Sequence, residues 1–117
     1  MWYYTYEKKV KVDIMVKEWT DSDYKAETAQ GLTLTDFWAT WCGPGRMQAP
    51  VIEQLADELG DKVTIGKVDV DKNQATAAAY GVMSIPTMVI QKDGKVVDTL
   101  IGYHDKNALK SKLEQYL

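Results

Sequence analysis

The chain has 117 residues, of which 45% are hydrophobic and 26% are charged, and its formal net charge is −3. This length fits one domain with a buried core, and the acidic balance argues against a nucleic-acid-binding surface. No apolar run reaches the roughly 18 residues that a membrane span needs, and the N-terminus lacks the apolar stretch of a secretory signal. Cys42 is the only cysteine, which suits a reducing compartment, so we expect a cytoplasmic protein.

The first third of the chain predicts two strands with a short helix between them. Residues 2–16 alternate between apolar and polar side chains, which is typical of one long strand or of two strands with a bend. Residues 21–29 predict a helix, with Asp21 or Ser22 as its N-cap. Residues 32–39 predict a strand that leads directly to Cys42.

The rest of the chain predicts alternating helices and strands. Helices are expected at 44–59, 73–80 and 107–117, and strands at 63–70, 87–91 and 96–101. The apolar stripe of the first of these helices is expected to comprise Met47, Val51, Leu55 and Leu59, and that of the last helix Leu109, Leu113 and Leu117. Lys92-Asp93-Gly94-Lys95 separates the last two strands as a hairpin turn.

The order of these elements predicts the fold class. Strands that alternate with helices favour parallel pairing, with helices covering both faces of the sheet. The closing hairpin adds antiparallel strands. We therefore expect an α/β fold with a mixed central sheet between two layers of helices.

Cys42 lies where a strand ends and a helix begins. The first N–H groups of a helix have no partner within the helix and carry a partial positive charge, which stabilises a thiolate at this position. Gly43 allows close backbone approach, and Pro44 has a φ angle suited to a helix start. The pattern favours a nucleophilic cysteine over an inert buried one.

Several motifs in the expected order resemble the thioredoxin family. They are Asp36-Phe37-Trp38-Ala39-Thr40-Trp41-Cys42-Gly43-Pro44, Met47-Gln48-Ala49-Pro50, Lys67-Val68-Asp69-Val70-Asp71 and Gly81-Val82-Met83-Ser84-Ile85-Pro86-Thr87, together with Lys92-Asp93-Gly94-Lys95 and Gly102. The resemblance runs from about residue 15 to the C-terminus. It implies the thioredoxin fold for residues 15–117 and an added N-terminal extension or strand at residues 1–14.

The resemblance also implies roles for individual residues. Cys42 would be the attacking thiol, and Asp36 with its partner Lys67 would assist proton transfer. The substrate-binding residues would be Trp41, Gly43, Pro44, Ile85, Pro86 and Gly102, with Pro86 as a cis-proline. The implied partners are protein disulfides. We expect no cofactor and no metal, because the lone His104 is far in sequence from other ligand types.

Gly45 is the main departure from the family, because it stands where a second, resolving cysteine is expected. Without that thiol the dithiol cycle is disabled, and a mixed disulfide at Cys42 should persist until an external thiol releases it. The sequence leaves open whether this glycine is natural or introduced.

Two further departures support an alternative interpretation. Thr33, Thr35 and Gln91 place polar side chains on strands that are usually apolar, either as tolerated drift or as a remodelled face. Residues 1–14 either add a strand or are a tag. The alternative is therefore an engineered, non-catalytic thioredoxin scaffold, and a homodimer through the N-terminal strand or through Cys42 is a further hypothesis.

Overall fold

The computed structural model of the protein describes residues 16–117, which form five strands and four helices. The strands are β1 (Val16–Glu18), β2 (Leu32–Trp38), β3 (Thr64–Asp69), β4 (Thr87–Lys92) and β5 (Lys95–Ile101). The helices are α1 (Tyr24–Glu27), α2 (Gly43–Leu59), α3 (Gln74–Ala79) and α4 (Lys106–Glu114). The strand predicted at 2–16 lies outside the described residues except for its last position.

The five strands form one mixed sheet in the order β1-β3-β2-β4-β5. β3 runs parallel to both β1 and β2, whereas β4 is antiparallel to β2 and β5 is antiparallel to β4. A mixed sheet between helices is the architecture that the order of elements predicts, so the expected fold class is confirmed.

The sheet separates two clusters of buried side chains. One cluster lies under α2 and α4 and includes Leu34, Ile52, Leu55, Met88, Ile90, Leu109 and Leu113. The other lies under α1 and α3 and comprises Trp19, Tyr24, Phe37, Val68, Ala77 and Val89. Because side chains alternate along a strand, β2 directs Leu32 and Leu34 to the α2 face and Thr33, Thr35 and Phe37 to the α1 face.

The predicted apolar stripe of α2 is wrong in its first half. Met47 is 62% exposed, and the buried side of the helix instead carries Gln48, Ile52 and Leu55. A strict four-residue spacing drifts around a helix of 3.6 residues per turn. A stripe counted back from Leu55 in steps of four therefore leaves the core face by the first turn.

The predicted cap of α1 is also wrong. The helix begins after Asp23, not after Asp21 or Ser22. The carboxylate of Asp21 reaches across to α3 instead, where its Oδ1 accepts hydrogen bonds from the backbone N (2.8 Å) and the Oγ1 (2.6 Å) of Thr76. A side chain that caps a helix distant in sequence cannot be recognised from local spacing.

The last helix is shorter than predicted. α4 has Asp105 as its N-cap, whose side chain accepts a hydrogen bond from the backbone N of Ala108 at 2.8 Å. Leu109 and Leu113 are fully buried as expected. Leu117 lies beyond the end of the helix and is 54% exposed, so it does not belong to the apolar stripe.

Candidate active site

Cys42 is the N-cap residue of α2 and follows directly on the loop after β2. Its Sγ accepts a hydrogen bond from the backbone N of Gly45 at 3.3 Å and donates one to the carbonyl oxygen of Ile85 at 3.3 Å. The side chain is 7% exposed. The sulfur therefore lies at a helix start, beside backbone N–H groups that have no partner within the helix, as the position between strand and helix predicts.

Three of the expected substrate-binding residues meet beside this sulfur. The Ile85–Pro86 peptide bond is cis, as the family resemblance implies, and the Ile85 carbonyl is the group that contacts Cys42. The carbonyl oxygen of Pro86 accepts a hydrogen bond from the backbone N of Gly102 at 2.8 Å. Gly102 has φ +89°, a conformation that side chains disfavour, so a glycine suits this position.

Gly45 occupies the place from which a second thiol would reach Cys42. A Cβ atom at position 45 would lie 3.3 Å from the Cys42 Cβ and 3.4 Å from its Sγ. The Cβ atoms of a disulfide lie about 3.5–4.5 Å apart, so the backbone is close to the geometry that a disulfide needs. Since Cys42 is the only cysteine, the chain itself cannot form this bond.

An open, mainly apolar cleft of about 360 Å³ adjoins the thiol. It is lined by Trp41, Val70, Val82, Met83, Ser84 and Ile85. Trp41 is 66% exposed and Met83 95% exposed, and the indole of Trp41 donates a hydrogen bond from Nε1 to Oδ2 of Asp71 at 2.9 Å. An exposed apolar surface of this kind beside the Cys42 sulfur is suited to binding a polypeptide segment.

Asp36 is a buried carboxylic acid on the face of β2 that packs against α2. It is 2% exposed, and this burial raises its pKa to about 7, although the positive charge of Lys67 acts in the opposite direction. The two residues are register partners on β2 and β3. The ion pairs of residues 16–117 do not include them, and the Lys67 Nζ lies 5.4 Å from the ring centroid of Trp38.

Sequence patterns assign no role of their own to two residues near the site, Met83 and Gln48. Met83 belongs to a family motif, but no local pattern predicts that its side chain is exposed at the cleft. Gln48 has a local signal, because it is a polar residue on what proves to be the buried side of α2. Its amide contacts the backbone of the half-buried His104.

Within residues 16–117, no three His, Cys, Asp or Glu side chains form a group that could hold a metal ion. In the same part of the chain, no helix is both long enough and apolar enough to cross a membrane.

Comparisons with known proteins decide the family. The thioredoxin family model matches residues 15–115. This chain belongs to the thioredoxin family. It is 54% identical to a thioredoxin of Listeria monocytogenes over 103 residues, which are 88% of this chain and 100% of that protein. It is also 54% identical to a thioredoxin of Bacillus subtilis over 98 residues, which are 84% of this chain and 94% of that protein.

A solved structure supports the same assignment. The structure of a thioredoxin of Malassezia sympodialis (Mala s 13) superposes with a TM-score of 0.77 at 38% sequence identity, covering 86% of this chain and 89% of that one. The family resemblance and the thioredoxin fold are therefore confirmed, and the chain contains a thioredoxin-like oxidoreductase domain. Residues 1–14 lie outside the family match and outside the described residues, so their division from residues 15–117 stays a prediction.

Proposed function

We propose that this thioredoxin domain captures disulfides of protein substrates at Cys42 and holds them as mixed disulfides. The observation that carries the proposal is the position of the Cys42 sulfur at the start of α2, where it accepts a hydrogen bond from the backbone N of Gly45. Position 45 has no thiol that could release a substrate bound to this sulfur. The family acts on disulfides, and the site keeps the attacking cysteine without its resolving partner.

The proposed step is thiol–disulfide exchange. The Cys42 thiol first gives its proton to water. The resulting thiolate attacks one sulfur of the substrate disulfide, the substrate S–S bond breaks, and a new S–S bond joins that sulfur to Cys42. The other substrate sulfur leaves as a thiolate and takes a proton from water. Position 45 has no sulfur for the second exchange, so an external thiol must attack the mixed disulfide before Cys42 is free again.

The other residues of the site have supporting roles in this proposal. The backbone of Ile85, Pro86 and Gly102 docks the substrate chain next to the sulfur. Trp41, Gly43 and Pro44 form the adjoining surface at the start of α2. Asp36 exchanges protons near neutral pH because burial raises its pKa to about 7, although the positive charge of Lys67 lowers the pKa.

The experiment that tests the proposal is the capture of a disulfide-bonded peptide, followed by intact-mass spectrometry under non-reducing conditions. We expect the mass of the protein to rise by that of one peptide and to stay raised until dithiothreitol is added. Cys42→Ser is the control that cannot react. In Gly45→Cys, the second thiol restores the resolving step, so the adduct should be transient and the peptide should leave reduced.

Two results would contradict the proposal. If the protein forms no adduct while Gly45→Cys reduces the same peptide, capture by Cys42 alone is wrong. If iodoacetamide alkylates Cys42 no faster than it alkylates free cysteine at pH 7, the site is chemically silent. A single thiol without an internal partner stays available in a reducing environment, so we place this activity in the cytoplasm.

A second candidate function, a non-catalytic and engineered scaffold, is favoured by the polar side chains on the face of the sheet under α1. There the hydroxyl of Tyr24 lies 2.7 Å from Oγ1 of Thr35 and accepts a hydrogen bond from Nε2 of Gln91 at 2.8 Å. The scaffold hypothesis predicts that deleting residues 1–14 changes stability or oligomeric state. Sedimentation with and without a reductant separates a homodimer formed through this segment from one formed through a Cys42–Cys42 disulfide.

A further inference from the structure

Gln48 is a fully buried polar residue in the second turn of α2, three positions after Gly45. The other large residues on this side of the helix are apolar and include Ile52, Leu55 and Leu59. Burying an amide among such residues is unfavourable unless its hydrogen-bonding groups find partners. The partners of Gln48 therefore indicate what the residue does.

Both polar atoms of the Gln48 side chain bond to the backbone of one residue. Nε2 donates to the carbonyl oxygen of His104 at 2.8 Å, and Oε1 accepts from the backbone N of His104 at 2.9 Å. A two-point attachment of this kind fixes both the position and the orientation of the bound peptide unit. It ties α2 to the segment 102–105, which connects β5 with α4.

The same segment contacts the cis-proline loop, which is the loop that contains the cis peptide bond between Ile85 and Pro86. Nδ1 of His104 lies 2.9 Å from the carbonyl oxygen of Gly102, and the backbone N of Gly102 donates to the carbonyl oxygen of Pro86 at 2.8 Å. The neighbouring carbonyl, that of Ile85, accepts from Cys42 Sγ. These contacts connect Gln48 to segment 102–105, that segment to the cis-proline loop, and the loop to Cys42. Cys42 lies at the start of the helix that carries Gln48.

We propose that Gln48 is a positioning residue, which holds Gly102 and Pro86 at the place where a polypeptide substrate docks beside Cys42. The inference rests on the proposed function, since it concerns the same site. Gln48 touches neither the sulfur nor the substrate. Its loss should therefore slow the reaction of Cys42 with a polypeptide disulfide and leave the reaction with a small alkylating agent unchanged.

The test compares two rate constants in the variant Gln48→Met, which keeps the length of the side chain but removes both hydrogen bonds. One is the rate of mixed-disulfide formation with a disulfide-bonded peptide, and the other is the rate of alkylation of Cys42 by iodoacetamide. We expect the rate of mixed-disulfide formation to fall about tenfold. This change corresponds to the loss of roughly one net hydrogen bond from the contacts that hold the docking site in place. The rate of alkylation should stay within about twofold of the parent rate.

The matched control is Gln54→Met, the same change at an exposed position of the same helix, which should alter neither rate. If Gln48→Met does not fold, Gln48→Leu replaces it, because leucine has a similar volume, also makes no hydrogen bond to His104, and places no charge at this fully buried position. Unchanged peptide rates in the folded variant would overturn the inference, as would an equal fall in both rates. A parent protein that captures no peptide would instead overturn the proposed function.

Discussion

Asp36 shows how the fold imposes an energetic cost at a single residue. Its carboxyl is 2% exposed, and its Oδ1 has no hydrogen-bond partner among the described residues. Burial disfavours the charged form and raises the pKa from 3.8 to about 7. The folded state therefore binds this proton more tightly than the unfolded state, and the contribution of Asp36 to stability declines as the pH rises from about 4 to about 7.

The first prediction concerns Asp36→Asn, which cannot ionise. Near pH 4 the variant and the parent should have nearly the same free energy of unfolding. At pH 8 that of the variant should be larger by on the order of 4 kcal/mol, since each pKa unit corresponds to about 1.4 kcal/mol. Urea denaturation at both pH values measures it. A difference that stays constant between pH 4 and pH 8 would contradict the raised pKa.

At the scale of residues, the sequence predicts where Cys42 lies in the fold but not the contacts that surround it, and the chemical roles of the site residues stay predictions. The helix start at Cys42 follows from a local pattern that the structure reproduces. The absence of a direct ion pair between Asp36 and Lys67 does not, because the cross-strand geometry directs the Lys67 ammonium toward Trp38. The role of Gln48 depends on His104, which lies 56 positions away in the chain.

The face of β2 that packs against α1 carries two threonines in different environments. Oγ1 of Thr35 pairs with the Tyr24 hydroxyl at 2.7 Å, and the same hydroxyl accepts a hydrogen bond from Nε2 of Gln91 at 2.8 Å. Burial raises the pKa of Tyr24 to about 12, so the hydroxyl stays protonated. Oγ1 of Thr33 is buried and has no partner among residues 16–117, although Thr33 lies opposite Gln91 in the sheet.

The second prediction contrasts the same substitution at the two positions. Thr33→Val should raise the free energy of unfolding by about 1 kcal/mol, because it removes a buried hydroxyl that has no hydrogen-bond partner among residues 16–117. Thr35→Val should lower it by about 1 kcal/mol, because the buried Tyr24 hydroxyl loses one of its two hydrogen bonds and keeps only the one from Gln91. Chemical denaturation of the parent and both variants measures the two changes in the free energy of unfolding. Equal destabilisation by both would show that the Thr33 hydroxyl also has a partner.

At the scale of elements, the sequence predicts which helices and strands exist better than it predicts their ends. Periodicity identifies α2 and α4 because their apolar residues recur over many positions. The ends depend on contacts between distant segments. Asp21 belongs to the start of α3, and Asn73 binds the backbone of Asp21 at 3.0 Å through its Oδ1, so α1 is left as a single turn.

At the scale of the whole molecule, the two ends of the sheet differ in what they expose. The loops after β2 and β3 and before β4 bring together Cys42, Trp41 and Met83 and leave apolar surface beside the thiol. At the other end, Leu32 of β2 pairs with Lys92 of β4, and Lys92 donates to the carbonyl oxygen of Tyr116 near the C-terminus. Among residues 16–117, an exposed apolar surface lies beside Cys42 at the first end.

The third prediction tests whether that surface binds substrate. Met83→Lys replaces a 95% exposed apolar side chain with a charged one, and it should slow mixed-disulfide formation with an apolar, uncharged disulfide peptide by about tenfold, the range expected for losing a buried apolar contact. Alkylation of Cys42 by iodoacetamide should be unaffected, because Met83 makes no hydrogen bond to the sulfur. Leu117→Lys is the matched control, since it makes the same kind of change at the opposite end of the sheet. If the two lysine variants slow capture equally, the effect is one of net charge and the cleft is not the docking surface; if only Met83→Lys does, the apolar end of the sheet selects the substrate that Cys42 attacks.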